Sequence, residues 1–144
     1  MHLLTAKTAP TQLVQQLHNL FLAEWGEIDP ILGNYPDPIL AVDQPDKLAG
    51  GLAFTRATKP DFKSSTEGES GIWINAVLVL PAYRKHGVAS QLICLAEQNA
   101  SRFGEQNLFV LSEFPLLYQK LGWSVVTQAG DETILEKCLL VPDA

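Results

Sequence analysis

The sequence is poor in cysteine, in basic charge and in long apolar runs, and each shortage closes off a class of protein. Only two cysteines occur in 144 residues, Cys94 and Cys138. Neither belongs to a CxxC pair or to a Cys/His spacing that holds zinc, so no metal site is predicted. Both fall on apolar sides of expected elements and read as buried, inert thiols. No apolar stretch approaches the roughly 20 residues that cross a bilayer. The N-terminus lacks the basic region and long apolar core of a secretory signal. A cytoplasmic protein with no membrane partner is expected. Lys and Arg number 10 against 16 Asp and Glu, for a formal net charge of −6 and a pI near 4.9. Such a chain lacks the basic stripe of a nucleic-acid binder, so no nucleic-acid partner is predicted, whereas a cationic partner is compatible. Neither G-x-G-x-x-G nor the Gly-Lys-Ser/Thr of a P-loop is present, which argues against the common nucleotide folds.

What is there is a globular composition, 47% apolar and 18% charged over 144 residues. That length suits one domain, 1–144, with a real core. His2 to Ala6 reads as a first strand. Apolar residues at Leu13, Val14, Leu17, Leu20 and Phe21 then recur at a helical period, with Thr11 or Thr8 as N-cap. Ile39 to Val42 and Leu48 to Thr58 read as strands, and Gly50-Gly51 signals a bulge or a close backbone approach. Ile72 to Leu80 is apolar almost throughout, as a central strand covered on both faces would be. A helix from Gly87 to Arg102, a strand from Asn107 to Leu111, a short helix through Phe114 to Lys120 and a final hairpin complete the order β-α-β-β-β-α-β-α-β-β. This predicts an α/β fold with a central mixed sheet flanked by helices.

The junction between the central strand and the long helix carries the chemistry. Leu80-Pro81-Ala82-Tyr83-Arg84-Lys85-His86-Gly87-Val88-Ala89-Ser90 combines basic residues, a glycine and a helix start. The first amides of a helix have no partner of their own, and the helix dipole adds positive potential there. Small residues at Gly87 and Ala89 let a phosphate approach the backbone. This is an anion cradle.

The pattern Arg84-x-x-Gly87-x-Ala89 resembles the acyl-CoA pyrophosphate loop of the Gcn5-related N-acetyltransferase (GNAT) superfamily. Phe114-Pro115-Leu116-Leu117-Tyr118-Gln119-Lys120-Leu121-Gly122-Trp123 is similar to that family's C-terminal Tyr-x-x-x-Gly-Phe/Trp signature, and the element order agrees. The resemblance implies an acyl-CoA N-acyltransferase fold and an enzyme using acetyl-CoA as cosubstrate. It implies that Arg84, Lys85, His86, Gly87, Val88, Ala89 and Ser90 hold the pyrophosphate. The strand backbone of Leu78 and Leu80, with Val77 and Val79 beside them, would hold the pantetheine amides. Tyr118 would be the catalytic general acid, protonating the thiolate as it leaves.

The general base stays open among Glu24, Asp37, Glu113 and water, because Trp73, Ile74, Asn75 and Ala76 offer no carboxylate on the central strand. Trp25, Tyr35 and Trp73 are read as core or as the wall of an acceptor pocket. The acceptor would be a small-molecule or peptide amine, selected by the segments Glu27 to Pro38 and Lys59 to Ser70. The alternative is a non-catalytic acyl-CoA sensor. Monomer and homodimer both remain open, the final hairpin offering an edge for pairing.

Overall fold

The computed structural model describes residues 1–25, 35–44, 47–58 and 70–139. Its strands are β1 (His2–Thr5), β2 (Ile39–Gln44), β3 (Lys47–Thr58), β4 (Ser70–Val79), β5 (Asn107–Ser112), β6 (Ser124–Ala129) and β7 (Glu132–Cys138). Its helices are α1 (Thr11–Trp25), α2 (Val88–Arg102) and α3 (Pro115–Lys120), with a 3-10 turn at Pro81–Tyr83. The strands form one seven-stranded mixed sheet in the order β1-β2-β3-β4-β5-β7-β6. All neighbours are antiparallel except β4 and β5. The element order expected from hydrophobic periodicity is the one observed.

Alternation in β2 shows how the sheet is covered. Ile39 and Ala41 pack with Leu92, Ile93 and Ala96 of α2 on one face, while Leu40 and Val42 pack with Leu13, Leu17 and Phe21 of α1 on the other. Successive strand side chains point to opposite faces, so a strand apolar at every position is buried twice. The buried residues of α1 stand four apart, on one stripe.

Local signals differ from the structure in three places. Helix α1 starts on the carbonyl of Pro10, which accepts from the amides of Leu13 and Val14. Neither threonine is therefore the first acceptor: Thr8 bonds back to Thr5. Both cysteines are exposed, not buried. The buried face of α2 runs through Val88, Leu92, Ile93, Ala96 and Ala100, which turns Cys94 outward. Phe103, an apolar residue that its spacing would bury with that face, instead follows the helix end and is 45% exposed.

Gly50-Gly51 is the close approach the sequence signalled. A Cβ on Gly50 would overlap the main-chain carbonyl of Leu78 in β4, and one on Gly51 would lie 2.5 Å from the Leu17 methyls of α1. The glycines let α1 and β4 press on β3 together. Among the described residues no helix is long and apolar enough to cross a membrane.

Candidate active site

The parallel β4–β5 pair is short. It joins Ile72 to Leu108, Trp73 to Phe109 and Ile74 to Val110, then stops. On the other side of β4, Ala53 faces Ala76 while Phe54 faces Ile74, so Asn75 is an extra residue in the central strand. A bulge of this kind bends and twists its strand. Beyond Asn75, β4 and β5 no longer pair, and a cleft of about 770 Å³ opens between them.

The open edge of β4 is defined residue by residue. The amide of Leu80 donates to Ala49 of β3 at 2.8 Å. Hydrogen-bonded and non-hydrogen-bonded pairs alternate along an antiparallel ladder. Leu80 and Leu78 therefore direct their backbone groups to β3, and Val77 and Val79 direct theirs to the gap. The expectation that the backbones of Leu78 and Leu80 are available to a ligand is corrected by this pairing, because groups bonded to β3 cannot also serve a guest in the gap. Arg84 marks the end of the open edge, its Nε donating to the carbonyl of Val79 at 3.0 Å.

The turn leading into α2 has the conformation of an anion nest. Lys85 has φ 66° and Gly87 has φ 77°, both left-handed. Among the described residues, no backbone carbonyl accepts from the amides of Lys85, His86, Gly87, Val88, Ala89 or Ser90, and the next amide, Gln91, bonds to Gly87. Consecutive free N–H groups at a helix N-terminus favour an anion. A Cβ on Gly87 meets nothing within 4 Å, so glycine is required there for its φ. Arg84, Lys85 and His86 are exposed around the nest. Tyr83 steadies the turn, its hydroxyl donating to Asp43 Oδ2 at 3.0 Å.

Tyr118 stands on α3 at the opposite wall of the cleft. It is 4% exposed, and its ring meets that of Trp123 edge-on at 5.1 Å. The spacing Tyr118 to Trp123 follows from the way α3 ends. Trp123 N donates to the Tyr118 carbonyl and Gly122 N to that of Gln119, both at 3.0 Å, with Gly122 left-handed at φ 91°. This is a Schellman closure, which needs a residue tolerant of positive φ four positions after the tyrosine. The Tyr118 hydroxyl has no hydrogen-bond partner among the described residues. Burial pushes its phenol well above the ordinary value of 10.0, so it is neutral and holds its proton at any physiological pH.

Of the carboxylates singled out from the sequence, Glu24 and Glu113 line the cleft and Asp37 does not. Asp37 lies 3.8 Å from Lys7 and borders a separate cavity between α1 and the end of α2. Trp25 and Trp73 line the cleft, whereas Tyr35 borders that other cavity. Trp73 packs against Phe109 at 5.4 Å, and its buried Nε1 has no hydrogen-bond partner among the described residues. Glu132, at the start of β7, also lines the cleft. Nothing in its local sequence marks it, since only the return of β7 beside β5 brings it there. Asn75 did carry a signal, as a polar residue inside an apolar strand. The segments 26–34 and 59–69, which hold most of the loops expected to select the acceptor, lie outside the described residues. Desolvation, then the neighbouring Glu97 carboxylate, raise the Cys94 thiol above its ordinary value, which disfavours the thiolate a nucleophile needs.

The family model described as "Acetyltransferase (GNAT) family" matches residues 8–123. No curated protein matches the sequence. A Lactobacillus plantarum protein assigned as an N-acetyltransferase shares 21% identity over 96% of this chain and 98% of its own, with a TM-score of 0.69. The aminoglycoside 6'-N-acetyltransferase of Enterococcus faecium shares 17% over 99% and 100%, with a TM-score of 0.67. Arabidopsis thaliana NAA60, solved with acetyl-CoA, shares 15% over 96% and 100%, with a TM-score of 0.65. Likeness at these identities concerns the fold.

Proposed function

Because the chain belongs to the acetyltransferase (GNAT) family, we propose that it moves an acetyl group from acetyl-CoA to a primary amine by direct attack, with Tyr118 as general acid. The observation that carries this reading is that three features border one cleft, which Ala89 of the nest, Val77, Val79 and Tyr118 line. They are the nest at Lys85–Ser90, the unpaired edge of β4 at Val77 and Val79, and the unpartnered hydroxyl of Tyr118.

Each feature suits one part of the cosubstrate. The nest amides, with Arg84 and Lys85 beside them, would hold the pyrophosphate. The N–H groups of Val77 and Val79 and the C=O of Val77, which face the gap, would take the pantetheine amides as an added strand takes its neighbour. The thioester then reaches the cleft near Asn75 and Tyr118. The amine nitrogen attacks the thioester carbonyl carbon, the C–S bond breaks, and the sulfur leaves as thiolate. A phenol whose proton is retained by burial can give that proton, or its hydrogen bond, to the developing charge. The proton lost by the attacking ammonium passes to a cleft carboxylate, Glu24 or Glu113, directly or through water.

Incubation with acetyl-CoA and a set of amines, reading free thiol, tests the proposal. Turnover should appear with at least one amine, and Tyr118→Phe should lower kcat about 100-fold while leaving coenzyme A affinity intact. Heat on mixing with coenzyme A but no thiol from any amine would favour the non-catalytic sensor.

A further inference from the structure

We infer that the acceptor carries a second cationic centre besides the reacting amine, held by carboxylates of the cleft; this rests on the acetyl-transfer reading above. Charge is sorted along the groove. Arg84, Lys85 and His86 gather at the nest, whereas the cleft wall includes Glu24, Glu113 and Glu132 and, among the described residues, no Lys, Arg or His. These glutamates arrive from the end of α1, the turn after β5 and the start of β7. They have no ion-pair partner among the described residues. Three acids elsewhere do have a cation beside them: Asp37 lies by Lys7, Glu105 by Arg56 and Glu97 by Lys137.

Proton removal from one ammonium needs one carboxylate. The others on the same wall are available to a second cationic centre, which their charge would attract. The rest of the wall points to the same guest. Trp25 and Phe114 line the cleft and remain 49% and 69% exposed, aromatic surface of the kind that attracts an ammonium and covers methylenes. The Tyr118 hydroxyl, unpartnered among the described residues and open to the cleft, marks where the reacting end must lie. Among the described residues of the cleft wall, an acceptor with its own carboxylate would meet like charge.

The test compares 1,5-diaminopentane, n-pentylamine and 5-aminopentanoate as acceptors, reading free thiol from acetyl-CoA. The diamine should exceed the monoamine by at least about tenfold in kcat/KM, the amino acid should be poorest, and added salt should shrink the preference. Glu132→Gln and Glu113→Gln should each move the diamine-to-monoamine ratio toward one. With coenzyme A bound, calorimetry should show the diamine binding more tightly than the monoamine. Equal kcat/KM for the two amines, or a preference for the amino acid, would overturn the inference and leave acetyl transfer standing. Thiol release from no amine, with coenzyme A still bound, would overturn both.

Discussion

The Glu97 carboxylate on α2 accepts a hydrogen bond from the Trp123 indole at 3.1 Å. Lys137 of β7 lies 3.6 Å from the same carboxylate and donates to the Leu121 carbonyl. Trp123 in turn supports the ring of Tyr118 edge-on and returns its own amide to the Tyr118 carbonyl. One half-buried acid on α2 thus braces the segment that carries the proposed general acid.

Glu97 is therefore a positioning residue. Glu97→Ala should cost about 2 kcal/mol of stability, since it strips a charged partner from Trp123 and Lys137 at once. It should also lower kcat several-fold with KM for acetyl-CoA unchanged, and Glu97→Gln should recover part of kcat because its amide oxygen still accepts from the indole. Steady-state kinetics beside thermal melts checks this. A change in KM alone would remove the positioning role.

Gly50 and Gly51 should respond differently to alanine. The methyl of Gly51→Ala meets the end of Leu17, a side chain that can move, while that of Gly50→Ala meets the Leu78 carbonyl, which is backbone. Overpacking costs about 1–3 kcal/mol, and Gly50→Ala should lie at the upper end and weaken coenzyme A binding by displacing β4. Leu17→Ala should offset part of the cost of Gly51→Ala and none of that of Gly50→Ala. Denaturant titrations of the single and double variants decide.

At Gly87 the penalty is conformational. With open space around the added methyl, Gly87→Ala should lose about 1 kcal/mol of stability through φ alone. Coenzyme A affinity should fall by more than stability does, because the nest amides lose their alignment. Calorimetry beside denaturation measures both. An unchanged dissociation constant would detach the nest from the cosubstrate.

The phenol of Tyr118 sets an alkaline limit on stability. Its value in the folded protein is raised by burial above the 10.0 of a free phenol. The folded state therefore holds the proton more tightly than the unfolded state does. This contribution is complete below pH 10 and is lost as pH rises from there through the folded value. Melting temperature should drop more steeply above pH 10 in the wild type than in Tyr118→Phe. Parallel slopes would show that the ring is not sealed from water.

The sequence by itself determined the order of elements, the nest and the closing motif at Tyr118. Each rests on neighbours a few positions apart: a helical stripe, a glycine at positive φ, a helix N-terminus after a strand. It could not decide which backbone groups of β4 stay free, because that depends on the register against β3, set by the Leu80–Ala49 bond. Nor could it sort the acids. Glu24, Glu113 and Glu132 line one cleft, and Asp37 does not, because three distant segments border the gap where the Asn75 bulge parts β4 from β5. The exposure of both cysteines was settled by which stripe of α2, and which end of β7, the sheet covers. Local chemistry is written in spacing, but charge sorting and access are properties of the packed whole.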